Sequence, residues 1–196
     1  VLLARAQTVL EGLPGLAGGL ELIRHLLERH WDHVHPQLDP DDGNDPFLRM
    51  NALAALVDPV GLLRDLRSVP FVRSSAGTCS IRDAEMALGI SRAPEDQSPP
   101  VSRAQLAGLV RAHAAGGGRN EAQRALETVE ALMAVLADKA GQHESVDLRP
   151  LIQRCKPLAA FYAEISGEDS APAPDEGPAA GPLQAANTAA FGTDAG

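Results

Sequence analysis

No apolar run in this 196-residue chain approaches the ~20 residues a membrane-spanning helix needs, so the sequence predicts no span. Cysteine is scarce. Cys79 and Cys155 are the only two, with no CxxC pair and no spacing that suggests zinc. Cys155 falls on the apolar stripe of an expected helix and reads as a small buried hydrophobe, consistent with a reducing, cytoplasmic setting. Positive charge is also short: 17 basic side chains face 26 acidic ones, for a net charge of −9. Binding to a phosphate backbone rests on Lys and Arg, and local pairs such as Arg64 and Arg67 are too few, so nucleic acid is a poor partner. HExxH, GxSxG, a Walker A loop and a GxGxxG turn after a strand are all absent. Each of these absences removes one common route to catalysis.

Helical periodicity is what the chain has in quantity. Leu16, Leu20, Ile23, Leu27, Trp31 and Val34 step by three and four, predicting one buried face from about 15 to 35. His35-Pro36 closes it, because a residue before proline avoids the α region. Asp45-Pro46 and Asp58-Pro59 each offer an N-cap acceptor before a helix-starting proline, predicting helices of about 46–57 and 59–67. Ser102 with Gln105 makes a capping box, and Asn120 with Gln123 imitates one. Leu106, Leu109, Val110 and His113 follow the first of these, and Ala122, Leu126, Val129, Met133 and Leu136 the second. Asp147 caps a last helix whose stripe is Leu151, Ile152, Cys155, Leu158, Tyr162 and Ile165, with Pro150 in its first turn. The GGG at 116–118 ends a helix, since glycine accepts the left-handed C-cap conformation.

One segment departs from this rule. Val69 to Arg73 and Thr78 to Arg82 flank the turn-like SSAG and predict a small hairpin. DAEMALG then reads as one or two helical turns, and residues 90–101 as a proline-rich loop. The expected fold is therefore all-α: a compact multi-helix domain over 1–165 with one small β-hairpin at about 69–82. Residues 166–196 hold nine Ala, five Gly, four Pro and five acidic residues, without Lys or Arg. That composition predicts a disordered C-terminal tail, an acidic flexible linker. At the other end, VLLARAQTVL reads as the middle of an amphipathic helix, so the domain is expected to begin upstream of Val1.

Residues 30–45, HWDHVHPQLDPDDGND, concentrate three histidines and five aspartates. One chemical reading is a metal-assisted hydrolase using His30, His33 or His35 with Asp39 or Asp41. Such a site wants three or four ligands, each held by a hydrogen-bonded neighbour. His30 and His33 instead fall in the broad apolar arc of Leu22, Ile23 and Leu26, where one or both are expected to help pack the helix. His35 sits at the helix end, where imidazole can meet orphan carbonyls. A calcium loop starting at Asp39 fails: it puts Gly43 fifth and Met50 twelfth, where a bidentate Glu belongs. A hydrated turn that caps the next helix accounts for Asp39, Asp41, Asp42 and Asp45 without any reaction. Within that reading, Arg49 is expected to pair with Asp41 or Asp42, and Asn51 to hydrogen-bond the loop backbone. Trp31, the only tryptophan, reads as core packing at a helix end ahead of a partner hot spot. Gly18 and Gly19 read as sites of close helix packing within the domain.

The order of these letters adds a family. WDxxHP from Trp31 to Pro36, the DPDDGND loop, RxNALAxL from Arg49 to Leu56, and then GLLRDLR resemble the ImpA-related N-terminal domain of the TssA family. Members of that family are assembly components of the bacterial type VI secretion system. The likeness is closest over 12–90, while 102–165 fit the later helices by pattern. It implies a non-enzymatic module, without metal or cofactor, that works in the bacterial cytoplasm with the baseplate and the contractile tail tube and sheath. It also implies that the fragment is a monomer and that rings form through a C-terminal region of the parent protein, with 166–196 as the tether. Trp31, Asp32, His35, Pro36, Asp39, Asp41, Asp42, Asp45, Arg49 and Asn51 carry the signature. They are the candidates for a partner contact or a structural corner.

Overall fold

Leu16, Leu20, Ile23 and Leu27 step along helix α2 (Leu13–His30) and all four are buried, forming the floor of the core. The computed structural model describes residues 1–41, 43–92, 100–140 and 145–168. Helix α1 (Leu2–Glu11) folds back on α2 in antiparallel fashion through two glycines. A Cβ on Gly15 would lie 2.1 Å from the Gln7 carbonyl oxygen, and one on Gly19 would lie 2.5 Å from the Ala4 Cβ. Only hydrogen fits at either position, and the two backbones touch there. Gly18, by contrast, has open space beside it.

After α2 the chain turns a corner into α3 (Phe47–Ala54), which tightens into a 3₁₀ turn at Ala55–Val57, and then α4 (Leu62–Ser68). A hairpin follows, β1 (Pro70–Ser74) antiparallel to β2 (Gly77–Ser80), with Val72 opposite Cys79 and an irregularity between Pro70 and Val72. Helix α5 (Ile81–Ala87) starts directly from the hairpin. Helix α6 (Arg103–Ala115) packs on β1, and the long α7 (Glu121–Ala140) and α8 (Arg149–Glu168) complete the body. The α2–α7, α1–α2 and α7–α8 faces are the largest, and Leu126, Val129, Leu132, Leu136, Leu151, Leu158 and Tyr162 are buried along them. The expected all-α fold with one small hairpin is the observed one. No helix among the described residues is long and apolar enough to cross a membrane.

The element ends show where local chemistry decides. Ser102 and Gln105 form both bonds of the capping box. Asn120 Oδ1 accepts from the Gln123 amide at 3.1 Å, while the Gln123 side chain turns to Glu127 instead of completing a box. The second strand stops at Ser80, whose hydroxyl accepts from the Asp83 amide, so Ile81 and Arg82 open α5 and do not extend the hairpin. Helix α4 begins at Leu62 and not 59, because Asp58 Oδ1 accepts from Val60 N and holds 58–61 as a turn. In the GGG run, Gly116 ends α6 with φ −79°, and the left-handed residue is Gly117 at φ 81°. A Cβ on Gly118 would lie 2.2 Å from His113 Nε2, so the third glycine makes room for an imidazole. Helix α8 continues to Glu168, three residues into the segment expected as linker. The remainder of that linker, 169–196, and the centre of the 90–101 loop lie outside the described residues.

One buried charge group had no counterpart in the sequence reading. Glu85 on α5 is buried between Arg154 of α8 and Arg67 of α4, with Arg67 Nε 3.0 Å away. The pair of guanidinium groups compensates the desolvated carboxylate and ties three helices together.

Candidate functional site

The corner between α2 and α3 is organised by one side chain. Arg49 sits in the first turn of α3 and is 2% exposed, the largest fully buried side chain among the described residues. Its Nη1 donates to the Trp31 carbonyl at 2.7 Å, its Nη2 to Val34 at 2.7 Å and Pro36 at 2.8 Å, and its Nε to Pro36 at 3.0 Å. A helix end leaves carbonyls without intrahelical donors, and the negative end of the α2 dipole lies here. A planar fork of five N–H groups suits that need. The guanidinium also lies over the Trp31 ring, 4.5 Å from its centroid. Burial lowers the Arg49 pKa from its ordinary value, and the charge of Asp32 partly restores it.

The following loop is built by its aspartates. The Asp39 amide donates to the Asp45 carbonyl at 3.3 Å and the Asn44 amide to the Asp39 carbonyl at 2.6 Å, closing a small bridge. Asp39 Oδ1 accepts from the Asp41 amide at 3.0 Å, and Asp45 Oδ1 accepts from Phe47 N at 2.8 Å in a turn just ahead of α3; the N-cap position itself falls on Pro46, one residue later than expected, and has no side-chain cap. Gly43 and Asn44 take the left-handed conformation, φ 64° and 67°, that the turn requires.

The structure thus brings Trp31, Pro36 and Arg49 together and uses Asp39 and Asp45 as turn formers. Asp32, His35, Asp39 and Asp41 are exposed, and Asp42 lies outside the described residues. Four expectations need correction. Arg49 does not reach into the acidic loop for Asp41; it points under the turn at 31–36, where buried carbonyls lack other donors while the loop carboxylates have water. His35 is exposed, and the carbonyls of Trp31, Val34 and Pro36 go to Arg49 instead. Asn51 is exposed on α3, and its side chain makes no hydrogen bond to the described loop backbone. His30 and His33 are exposed as well, because α2 ends at His30 and the tighter turn beyond it swings His33 off the apolar arc.

Two features were missed. Arg49 shares a helical face with the buried Leu53 and Leu56, at i+4 and i+7, and that spacing could have marked it as a core arginine. Phe47 and Leu48, 62% and 59% exposed, stand beside the acidic loop, and an exposed pair of this kind has no signal in periodicity. On the inner side of the corner a groove of about 520 Å³ runs between α1, α2 and α3, lined by Leu2, Leu3, Leu26, Leu27, Pro36 and Leu53 among others.

The chemistry available is limited. Among the described residues, no three His, Cys, Asp or Glu side chains come together as metal ligands would. Burial pushes the Cys79 thiol up to about 11 and the Cys155 thiol up to about 12, so neither supplies a thiolate near neutral pH. Arg49, Asp39 and Asp45 are engaged with the corner's own backbone, while Asp32, His35, Asp41 and Asn51 are exposed.

Comparison with known proteins covers the corner and more. Residues 1–58 match the model of the family described as ImpA, N-terminal, type VI secretion system, and that stretch contains the whole corner. The chain is 39% identical over 154 residues to the type VI secretion system component TssA1 of Pseudomonas aeruginosa, covering 78% of this chain and 44% of that protein. It thus spans less than half the length of that relative. Its fold is shared with a solved N-terminal domain, including the conserved ImpA_N region, of the TssA component from Burkholderia cenocepacia. That likeness has a TM-score of 0.59 at 22% identity and covers 84% of this chain and 68% of the other. With the corner, the helix order and the sequence in agreement, the chain belongs to the ImpA N-terminal family and carries the ImpA N-terminal domain found in TssA proteins of the type VI secretion system.

Proposed function

We propose that this chain is a non-enzymatic assembly module of a bacterial type VI secretion system, acting in the cytoplasm by docking a baseplate or tail tube and sheath component. The observation that carries the reading is the similarity to a type VI secretion component through 78% of the chain. The corner supports it: Arg49, Asp39 and Asp45 hold its shape through backbone hydrogen bonds, and what it presents outward is a surface. Phe47 and Leu48 project beside Asp39, Asp41 and the half-buried Asp45, an apolar pair rimmed by negative charge. A partner with an apolar pocket flanked by Lys or Arg fits that edge, with the aromatic side chain as anchor. In this reading the helical body through α8 is the docking domain.

The test is a pull-down of the chain against purified baseplate, tube and sheath components. At least one is expected to be retained, and the double substitution Phe47→Ala/Leu48→Ala should weaken that capture ten-fold or more. Its melting temperature should stay unchanged, since both side chains are exposed. Retention of none by the folded chain overturns the assembly reading; retention that ignores the double substitution overturns the assigned edge.

A further inference from the structure

Helix α3 has little of its own to hold its first turn. It is 8 residues long, shorter than the roughly 12 a helix needs to persist alone in water. Pro46 stands at its N-cap position and offers no side-chain acceptor. The Arg49 and Met50 amides both turn back to the Pro46 carbonyl, at 2.9 and 3.0 Å, and the Phe47 amide goes to Asp45 Oδ1. Among the described residues, no element beyond the 3₁₀ turn that follows packs broadly on α3. Its buried residues are Arg49, Met50 and Leu53, and Leu53 lies a turn further on.

The Arg49 side chain therefore ties this turn to the rest of the fold by hydrogen bonds. All four of its bonds cross to carbonyls of the 31–36 turn, 13 to 18 residues back along the chain. Phe47 and Leu48 stand on the same turn and face outward, about 200° and 100° around the helix from Arg49. The clamp thus grips the backbone that carries both side chains, from the side opposite to the one they present.

We propose that Arg49 is the positioning residue of the docking edge: it touches no partner, yet it keeps Phe47 and Leu48 preformed for one. The proposal rests on the edge assigned above. A partner meets two side chains already in place and spends no binding energy on ordering them. Without the clamp the uncapped turn frays, and fixing even one or two backbone residues on binding weakens capture by about ten-fold.

Two measurements on the full chain test this. Amide hydrogen exchange reads the turn without any partner. In the parent, the amides at positions 49 and 50 are expected to be protected. In Arg49→Lys they should exchange nearly as an unstructured peptide does, while the buried Leu132 and Leu136 of α7 keep a protection of roughly a hundred-fold or more. A loss of stability shared by the whole fold would move both sets together. The second measurement is capture by whichever purified baseplate, tube or sheath component the parent retains, at a temperature where circular dichroism shows the variant folded. Arg49→Lys should bind about ten-fold more weakly. A folded Arg49→Lys captured like the parent, while Phe47→Ala/Leu48→Ala is not, overturns the positioning role and leaves the edge standing. Phe47→Ala/Leu48→Ala captured like the parent removes the edge and the positioning role together. Unprotected amides at 49 and 50 in the parent also overturn the proposal, and that result needs no variant to fold.

Discussion

Arg49 decides the shape of the corner. Three backbone carbonyls depend on its guanidinium, and the residue is almost fully enclosed. Arg49→Met keeps much of the stem but leaves those carbonyls buried without donors, which costs about 3 kcal/mol or more and a fall in Tm of roughly 6–12 °C. Arg49→Lys should lose most of this too, since one ammonium cannot span three carbonyls set around a planar fork. Thermal melts of the two variants check both expectations, and a Lys variant as stable as the parent would refute the clamp. A second residue sets a pH dependence. The hydrogen bond from Arg5 is the main reason Asp65 is held below the usual carboxylate range. A depressed acid contributes stability that is complete above its unfolded pKa, roughly pH 4, and is lost as pH falls through the folded value. Asp65→Asn should therefore be less stable than the parent at pH 7, and the gap should close under acid. Urea midpoints at pH 7 and pH 3 measure it, and a gap that persists at low pH would assign the effect to packing.

At the scale of elements, the α1–α2 contact separates glycines by what surrounds them. Gly15→Ala would place a methyl group 2.1 Å from the Gln7 carbonyl oxygen, so α1 must shift. The expected cost is about 1–3 kcal/mol. Gly18→Ala meets nothing within 4 Å and should instead stabilise α2 by about 0.5–1 kcal/mol. Opposite signs for neighbouring residues of one helix, read from Tm, are the expected result; equal signs would mean the two helices are not packed as described. The same comparison shows what sequence could reveal. Leu16, Leu20, Ile23 and Leu27 repeat at a helical period, and Ser102 with Gln105 follows a cap rule that depends on neighbours alone, so these were legible. Which glycine touches a second helix depends on residues far along the chain, and the close pair is Gly15 and Gly19, not Gly18 and Gly19. The true end of α2 and the start of α4 were likewise set by tertiary donors and by an Asp58 turn, which periodicity does not encode.

For the whole molecule, the candidate site was legible as a place but not as an arrangement. The letters from Trp31 to Asn51 marked the corner because they are ordered and unusual. Their roles differed, since Arg49 follows the buried carbonyls of Trp31, Val34 and Pro36 while the loop carboxylates remain in water. Solvation, and not spacing, divides these residues into scaffold and surface. That division predicts different costs for the two classes of residue. Asp41→Ala removes an exposed carboxylate and should leave Tm within about 2 °C of the parent, whereas Arg49→Met should lower it well beyond that. Thermal melts of the two variants side by side measure the division, and equal shifts would place the loop carboxylates in the scaffold with Arg49.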